Sequence, residues 1–397
     1  MRTIQCPATV TSDDPRGPAS RSRRRRAIWS VALAAVVVSA GVWALARPGA
    51  APGSRSSPPP SGQLLSGQPL PLVDRGYLTT LDELQRRAAR AAAGHEPEAT
   101  AVRDLLDWAA GAIDAPAHPS ESLQIDGTTG PFVDDTANAY GLALAWGVTG
   151  DRRYALAARR DVMAWATTTK GLVNACSTGG ECQTSLIVSR TAPGFVFAMD
   201  LLTTSGAISA GDDAAFSDWL RTVILPAASQ RTNNWGDAGV FLRAVATDHL
   251  GDAAGWQAAL DGWRAQLDLV AQDGHIPEEV RRGSSGLSYT QEALLYKLAV
   301  ARIAERRGID LWSVVGSDGG TLRTAVDLAA RYQADPKAWP YDNHVDVPSV
   351  GPGWELAYAH WPEPAIADLL RPVRPLGADG HSAIRWTTLT NGIELGG

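Results

Sequence analysis

The 397-residue chain is long enough for one large domain or two ordinary ones, and its 45% hydrophobic content is ample for a core. Its net charge of −6 is unevenly placed: residues 1–46 hold seven Arg against two Asp, which leaves −11 on the remainder. An acidic body does not attract polyanions by its overall field, so nucleic acid is excluded as a partner, and an acidic polymer would have to be met by a local basic cluster.

The N-terminus reads as a targeting segment. Residues 1–26 form a basic region ending in Arg21 and Arg23 to Arg26, and residues 27–46 are apolar without a charge, about long enough to cross a bilayer. The run ends in Ala44-Leu45-Ala46, the small-x-small form of a signal-peptidase site. Residues 27–46 are therefore either a cleaved signal peptide or an uncleaved signal anchor. Both leave the basic block inside and export the bulk of the chain, secreted or tethered, with membrane contact only through this N-terminal segment. Residues 47–76, rich in Pro, Ser and Gly, read as a linker. The globular part is expected over residues 77–389.

That part reads as almost all helix. "LTTLDELQRRAARAAAG" has Thr80 as N-cap and Gly94 as terminator. "DDTANAYGLALAWGVTG" starts on Asp134 or Asp135 and ends at Gly150, and "DRRYALAARRDVMAWATTT" follows at once. Cys176 and Cys182, in "CSTGGEC", are expected to be exported together and to form a local disulfide. Two thiols with no neighbouring His make a zinc site the weaker reading, and neither metal nor cofactor is expected. Further helical segments are "GDDAAFSDWLRTVILPAAS", "WGDAGVFLRAVATDHLG", "DAAGWQAALDGWRAQLDLVAQDG", "LSYTQEALLYKLAVARIAERRG" and "GTLRTAVDLAARYQAD". The best strand candidate is "SAIRWTTLT", Ser382 to Thr390.

A weak internal rhyme links "VTGDRRYALAAR" to "HLGDAAGWQAAL": one helix stops on Gly and Asp caps the next. Short connections make neighbouring helices antiparallel. Without a strict repeat period, many such hairpins favour a ring over an open solenoid: an all-α, α/α toroid, an incomplete α/α barrel with few or no strands.

Two junctions place polar residues just before an apolar helix: "QRTNNWGDAG", Gln230 to Gly239, and "DGHIPEEVRRGSSGLSY", Asp273 to Tyr289. The Gly/Ser run Gly283 to Gly286 argues against helix there, so Arg282 is expected on an irregular loop and Tyr289 in the first turn of a helix. Loops on a rigid helical frame are where function concentrates. The structural readings of these residues are ordinary. Asn233 and Asn234 would cap a helix, Arg281 and Arg282 would pair with Glu278 and Glu279 on a solvated face, and Tyr289 would be a core tyrosine.

At these junctions the chain resembles the alginate lyase family of α/α-toroid polysaccharide lyases, in an exported, actinobacterial-type form. The resemblance rests on Arg282-Gly283-Ser284-Ser285-Gly286-Leu287-Ser288-Tyr289, the preceding "DGHIPEE", the Asn233-Asn234 pair and "GWELAYAHW", Gly353 to Trp361. It implies β-elimination on an acidic, uronate-containing polysaccharide, alginate-like or glucuronan-like. Asn234 and Arg282 would neutralise the uronate carboxylate and Tyr289 would serve as base and then acid, while Asn233, Trp235 and Arg281 would line the substrate cleft. In that family the Asn pair is followed by His, where this chain has Trp235; His275 is the nearest replacement by motif. Two rivals remain open. A glycoside hydrolase would need facing carboxylates, for which Asp134, Asp135, Asp273, Glu278 and Glu279 are available. A non-catalytic polysaccharide-binding protein would bind an oligosaccharide and form no product.

Overall fold

A computed structural model describes residues 76–175 and 182–396, all within one compact unit. The expected N-terminal targeting segment and linker lie outside the described residues, and so does Cys176. Cys182 stands at the N-terminus of a helix.

The first half contains α1 (Leu81–Ala92), α2 (Glu98–Ala112), α3 (Pro131–Thr149), α4 (Arg152–Thr168), α5 (Gln183–Thr191), α6 (Pro193–Leu202) and α7 (Ala210–Trp219). The second contains α8 (Asn234–His249), α9 (Ala253–Leu267), α10 (Pro277–Val280), α11 (Gly286–Glu305), α12 (Leu322–Ala334), α13 (Gly353–His360), α14 (Pro364–Leu370) and α15 (Thr387–Asn391). Among the described residues the only named strands are a two-residue parallel pair, β1 (Ser122–Leu123) and β2 (Gly171–Leu172).

Local chemistry sets the helix ends. Thr80 accepts from the Glu83 N–H and Glu83 accepts from the Thr80 N–H, a capping box that starts α1. The repeated Gly-Asp punctuation is realised in three dimensions. Gly150 and Gly251 adopt φ of +69° and +65°, and Asp151 and Asp252 cap α4 and α9. α3 starts earlier than expected because Pro131 occupies its first turn, where a missing N–H costs nothing.

Packing makes the helices an α/α toroid. An inner course runs α3, α6, α8, α11, α13, each packed on the next, and α4, α9, α12 and α14 lie against it on the outside. The circuit returns through α15, which touches α13, α1 and α2, and both α1 and α2 pack on α3. Buried Glu355 of α13 takes the Arg374 guanidinium and the Thr388 hydroxyl of α15, which fixes this closing segment.

An aromatic chain follows the same inner course. Tyr140 of α3 meets Phe197 of α6 at 5.3 Å between ring centroids, Phe197 meets Phe241 of α8 at 6.1 Å, and Phe241 meets Tyr296 of α11 at 5.8 Å. Tilted and edge-on geometry at these distances is what ring quadrupoles favour.

Two sequence expectations need correction. "SAIRWTTLT" is not a strand. Ala383 donates to the Arg190 carbonyl and Trp386 to the Gly377 carbonyl, so the backbone is satisfied piecemeal. Trp386 then turns at φ +51° into α15, its ring wedged against Trp108 and Tyr140. Gly283 to Gly286 is not wholly irregular. Gly283–Ser285 forms a single 3₁₀ turn and α11 already begins at Gly286, where a Cβ would press on the Val280 backbone and Trp339.

Candidate active site

The two polar junctions meet at one end of the toroid. At the second, Gly283 turns with φ +63°, and Arg282 folds back over Tyr289 with its guanidinium carbon 3.8 Å from the ring centroid. Arg282 is exposed and, among the described residues, has no carboxylate partner; the half-buried Tyr289 has no hydrogen bond to its hydroxyl. A cation and a phenol are thus held side by side with their polar atoms uncommitted. The turn is braced from outside by Asp346, which accepts from the Ser284 hydroxyl at 2.6 Å and whose N–H donates to the Ser284 carbonyl.

At the first junction, Asn233 caps α8 by accepting from the Trp235 N–H at 3.0 Å. Gly236 and Gly239 are required because a Cβ at either would strike the backbone of Arg231 or Ser229. Asn234 is fully buried, and neither its side-chain oxygen nor its nitrogen has a protein partner. Its backbone N–H donates to Glu279 Oε1 at 2.6 Å, a direct bond between the two junctions. Trp235 is half-buried under the Arg231 guanidinium, 3.8 Å from its ring centroid.

Beneath them lies a buried charge network that sequence reading missed. Asp237 of α8 pairs with Lys297 of α11, both almost wholly buried. Burial pushes the Asp237 carboxyl up to about 6 against the pull of Lys297. Burial also pushes Glu279 up to about 7, with the Asp237 charge adding to the shift and the Asn234 N–H, Lys297 and Arg282 opposing it. A second cluster centres on Glu292, one helical turn after Tyr289. Arg190 of α5 lies 2.9 Å from it, the Tyr296 hydroxyl donates to it at 2.6 Å, and His381 Nε2 lies 3.2 Å away. Burial alone would raise Glu292; Arg190, His381 and Tyr296 outweigh it and hold the carboxyl down at about 2. Lone charged residues in apolar helices, Arg190 in "LIVSRTAPGF" and Lys297 in "LLYKLAV", were the available signal.

The other expected residues sit apart from this pair. His275 bonds Asp273 at 2.5 Å and packs on the Tyr341 ring at 5.3 Å. Arg281 pairs with Glu278 at the surface. The carboxylates considered for hydrolysis are distributed rather than facing. Asp135 is buried under the Trp165 indole N–H, Asp273 holds His275, Glu278 holds Arg281 and Glu279 holds α8. Among the described residues no group of three or more His, Cys, Asp or Glu could hold a metal ion.

The alginate lyase family model matches residues 97–339, a span that contains both junctions. This chain belongs to the alginate lyase family. A polysaccharide lyase from Stenotrophomonas maltophilia (strain K279a) is 32% identical over 139 residues, so the match spans only 38% of that relative. The fold is shared with an alginate lyase from Bacteroides ovatus (TM-score 0.63, 16% identity, 81% of this chain and all of that one). It is shared also with alginate lyase A1-III from Sphingomonas species A1 (TM-score 0.63, 16% identity, 80% of this chain and 95% of that one). A variant of alginate lyase A1-III solved with a tetrasaccharide superposes equally well, with a TM-score of 0.64 at 15% identity over 81% of this chain and 96% of that one.

Proposed function

We propose that this member of the alginate lyase family is an exported polysaccharide lyase that cleaves a uronate-containing polysaccharide, alginate-like or glucuronan-like, by β-elimination. The observation that carries the reading is the Arg282–Tyr289 stack, whose cation and hydroxyl are uncommitted, on a junction that Glu279 bonds to Asn234, whose side-chain amide is unpartnered. The proton on C5 of a uronate is weakly acidic while the neighbouring carboxylate is charged. Arg282 and Asn234 bind that carboxylate and stabilise the enolate as charge develops on it. Tyr289 takes the C5 proton and returns a proton to the oxygen leaving C4; the C4–O bond breaks and a C4=C5 double bond forms. The acidic polymer is drawn locally by Arg282 and Arg231 against an acidic body.

Export is supported by the basic block and apolar run of residues 1–46, with residues 47–76 as tether or linker and residues 77–389 as the lyase domain. A Cys176–Cys182 disulfide belongs to the same exported setting. The test is incubation of the purified chain with alginate, glucuronan and related polyuronates, read by the ultraviolet absorbance of the unsaturated product. Saturated reducing ends without that absorbance would favour hydrolysis. Binding of a polyuronate with no product at all would favour a polysaccharide-binding protein.

A further inference from the structure

A cavity of 690 Å³ opens between α11, the start of α13 and the segment leading into α15; Ser288, Gln291, Glu292, Trp354 and His381 line it. Ser288 immediately precedes Tyr289, and Tyr289 and Glu292 stand three residues apart on α11, so they share a helix face. His381 comes from a distant part of the chain and is placed there by two contacts. Its Nε2 meets Glu292 Oε2 at 3.2 Å, and two residues on, the Ala383 N–H donates to the Arg190 carbonyl at 2.8 Å. Glu292 is itself locked by Arg190 and by the Tyr296 hydroxyl, so the imidazole bonds to a rigid carboxylate. A carboxylate at Nε2 selects the tautomer that carries its proton there and leaves the lone pair on Nδ1. The imidazole is half exposed, with 47% of its side-chain surface accessible.

We infer that His381 is a second proton-handling group of this site, accepting the C5 proton of the uronate through Nδ1 while Tyr289 donates a proton to the departing C4 oxygen. The inference rests on the lyase reading and divides between two residues the proton transfers that reading gives to Tyr289. The step balances: the C5–H electrons form the C4=C5 bond, the C4–O electrons leave with oxygen, Tyr289 protonates that oxygen, and the imidazolium returns its proton to solvent or phenolate.

The test is His381→Ala assayed on the polyuronate that the wild type cleaves best. The kcat is expected to fall about 10²-fold or more, with KM changed by less than about threefold and the melting temperature unchanged. Added imidazole is expected to restore about tenfold of the lost rate or more, because small bases enter the vacated space. Wild-type kcat in His381→Ala overturns the inference and leaves the lyase reading standing. A loss that imidazole does not repair also overturns it, since it assigns His381 a structural role. A wild type that gives no unsaturated product from any polyuronate overturns the lyase reading itself, and this inference with it.

Discussion

Arg282 lies over the ring of Tyr289, 3.8 Å from its centroid, although Gly283 to Gly286 stand between the residues in sequence. The 3₁₀ turn and the positive φ of Gly283 reverse the chain so that the side chains close on each other. The contact holds the guanidinium beside the phenol and leaves the hydroxyl for substrate.

Tyr289→Phe keeps the ring and its stacking partner and loses only the atom that carries the proton. Turnover is expected to fall about 10²–10⁴-fold, with oligosaccharide affinity by calorimetry nearly unchanged. Full lyase activity in this variant would remove Tyr289 from the mechanism.

Arg282→Ala is expected to cut kcat steeply, because it deletes charge stabilisation that grows in the transition state. Arg282→Lys keeps the charge without the planar stacking surface and should fall between wild type and Ala. Equal activity in the Lys and Ala variants would show that charge is not what Arg282 contributes.

Glu279 gives a pH test of the buried network. Its carboxyl rises from the usual 4.5 to about 7 on folding. Its contribution to stability is therefore complete below pH 4.5 and is lost as pH rises through about 7. Asp237, raised from 3.8 to about 6, acts in the same sense. Glu292, held at about 2, contributes above 4.5 and loses that contribution only as pH falls through about 2, outside this window. Glu279→Gln retains an acceptor for the Asn234 N–H, so the fall in melting temperature between pH 4.5 and 7 should be shallower in the variant. Parallel curves would mean that Glu279 stays ionised throughout.

Asn233→Ala removes the cap of α8 and should cost about 1 kcal/mol of stability. Asn233→Asp, which still accepts from the Trp235 N–H, should restore most of it in a denaturant titration.

Trp235→His introduces the residue that the family resemblance implies after the Asn pair. The fold should tolerate it, since Trp235 is only half-buried and its stacking on Arg231 is worth about 1 kcal/mol. Product formation is expected to rise. A drop in rate without loss of stability would mark Trp235 as a sugar platform in its own right.

Much of the fold was legible in the sequence where the determining interaction is local. Thr80 with Glu83, Gly150 with Asp151, and Gly251 with Asp252 mark helix ends by hydrogen bonds within a few residues, and each was readable as a string. The pairing of Arg282 with Tyr289 was readable for the same reason, with a short turn between them. α5 and α6 were not, because they are buried on nearly every side and show no amphipathic stripe. "SAIRWTTLT" misled because its β-branched and aromatic residues pack into the closing segment of the ring without pairing as a strand.

What the sequence determined by itself was an all-α chain of capped hairpins with two polar junctions. Only the tertiary structure decided which charges stand behind those junctions. Lys297 meets Asp237, Asn234 meets Glu279, and Glu292 gathers Arg190, Tyr296 and His381. A charge survives in a buried position only when partners from other elements surround it. Those partners come together when the inner helices close into a ring; the capped hairpins imply the ring, but no local pattern encodes which side chains it brings face to face.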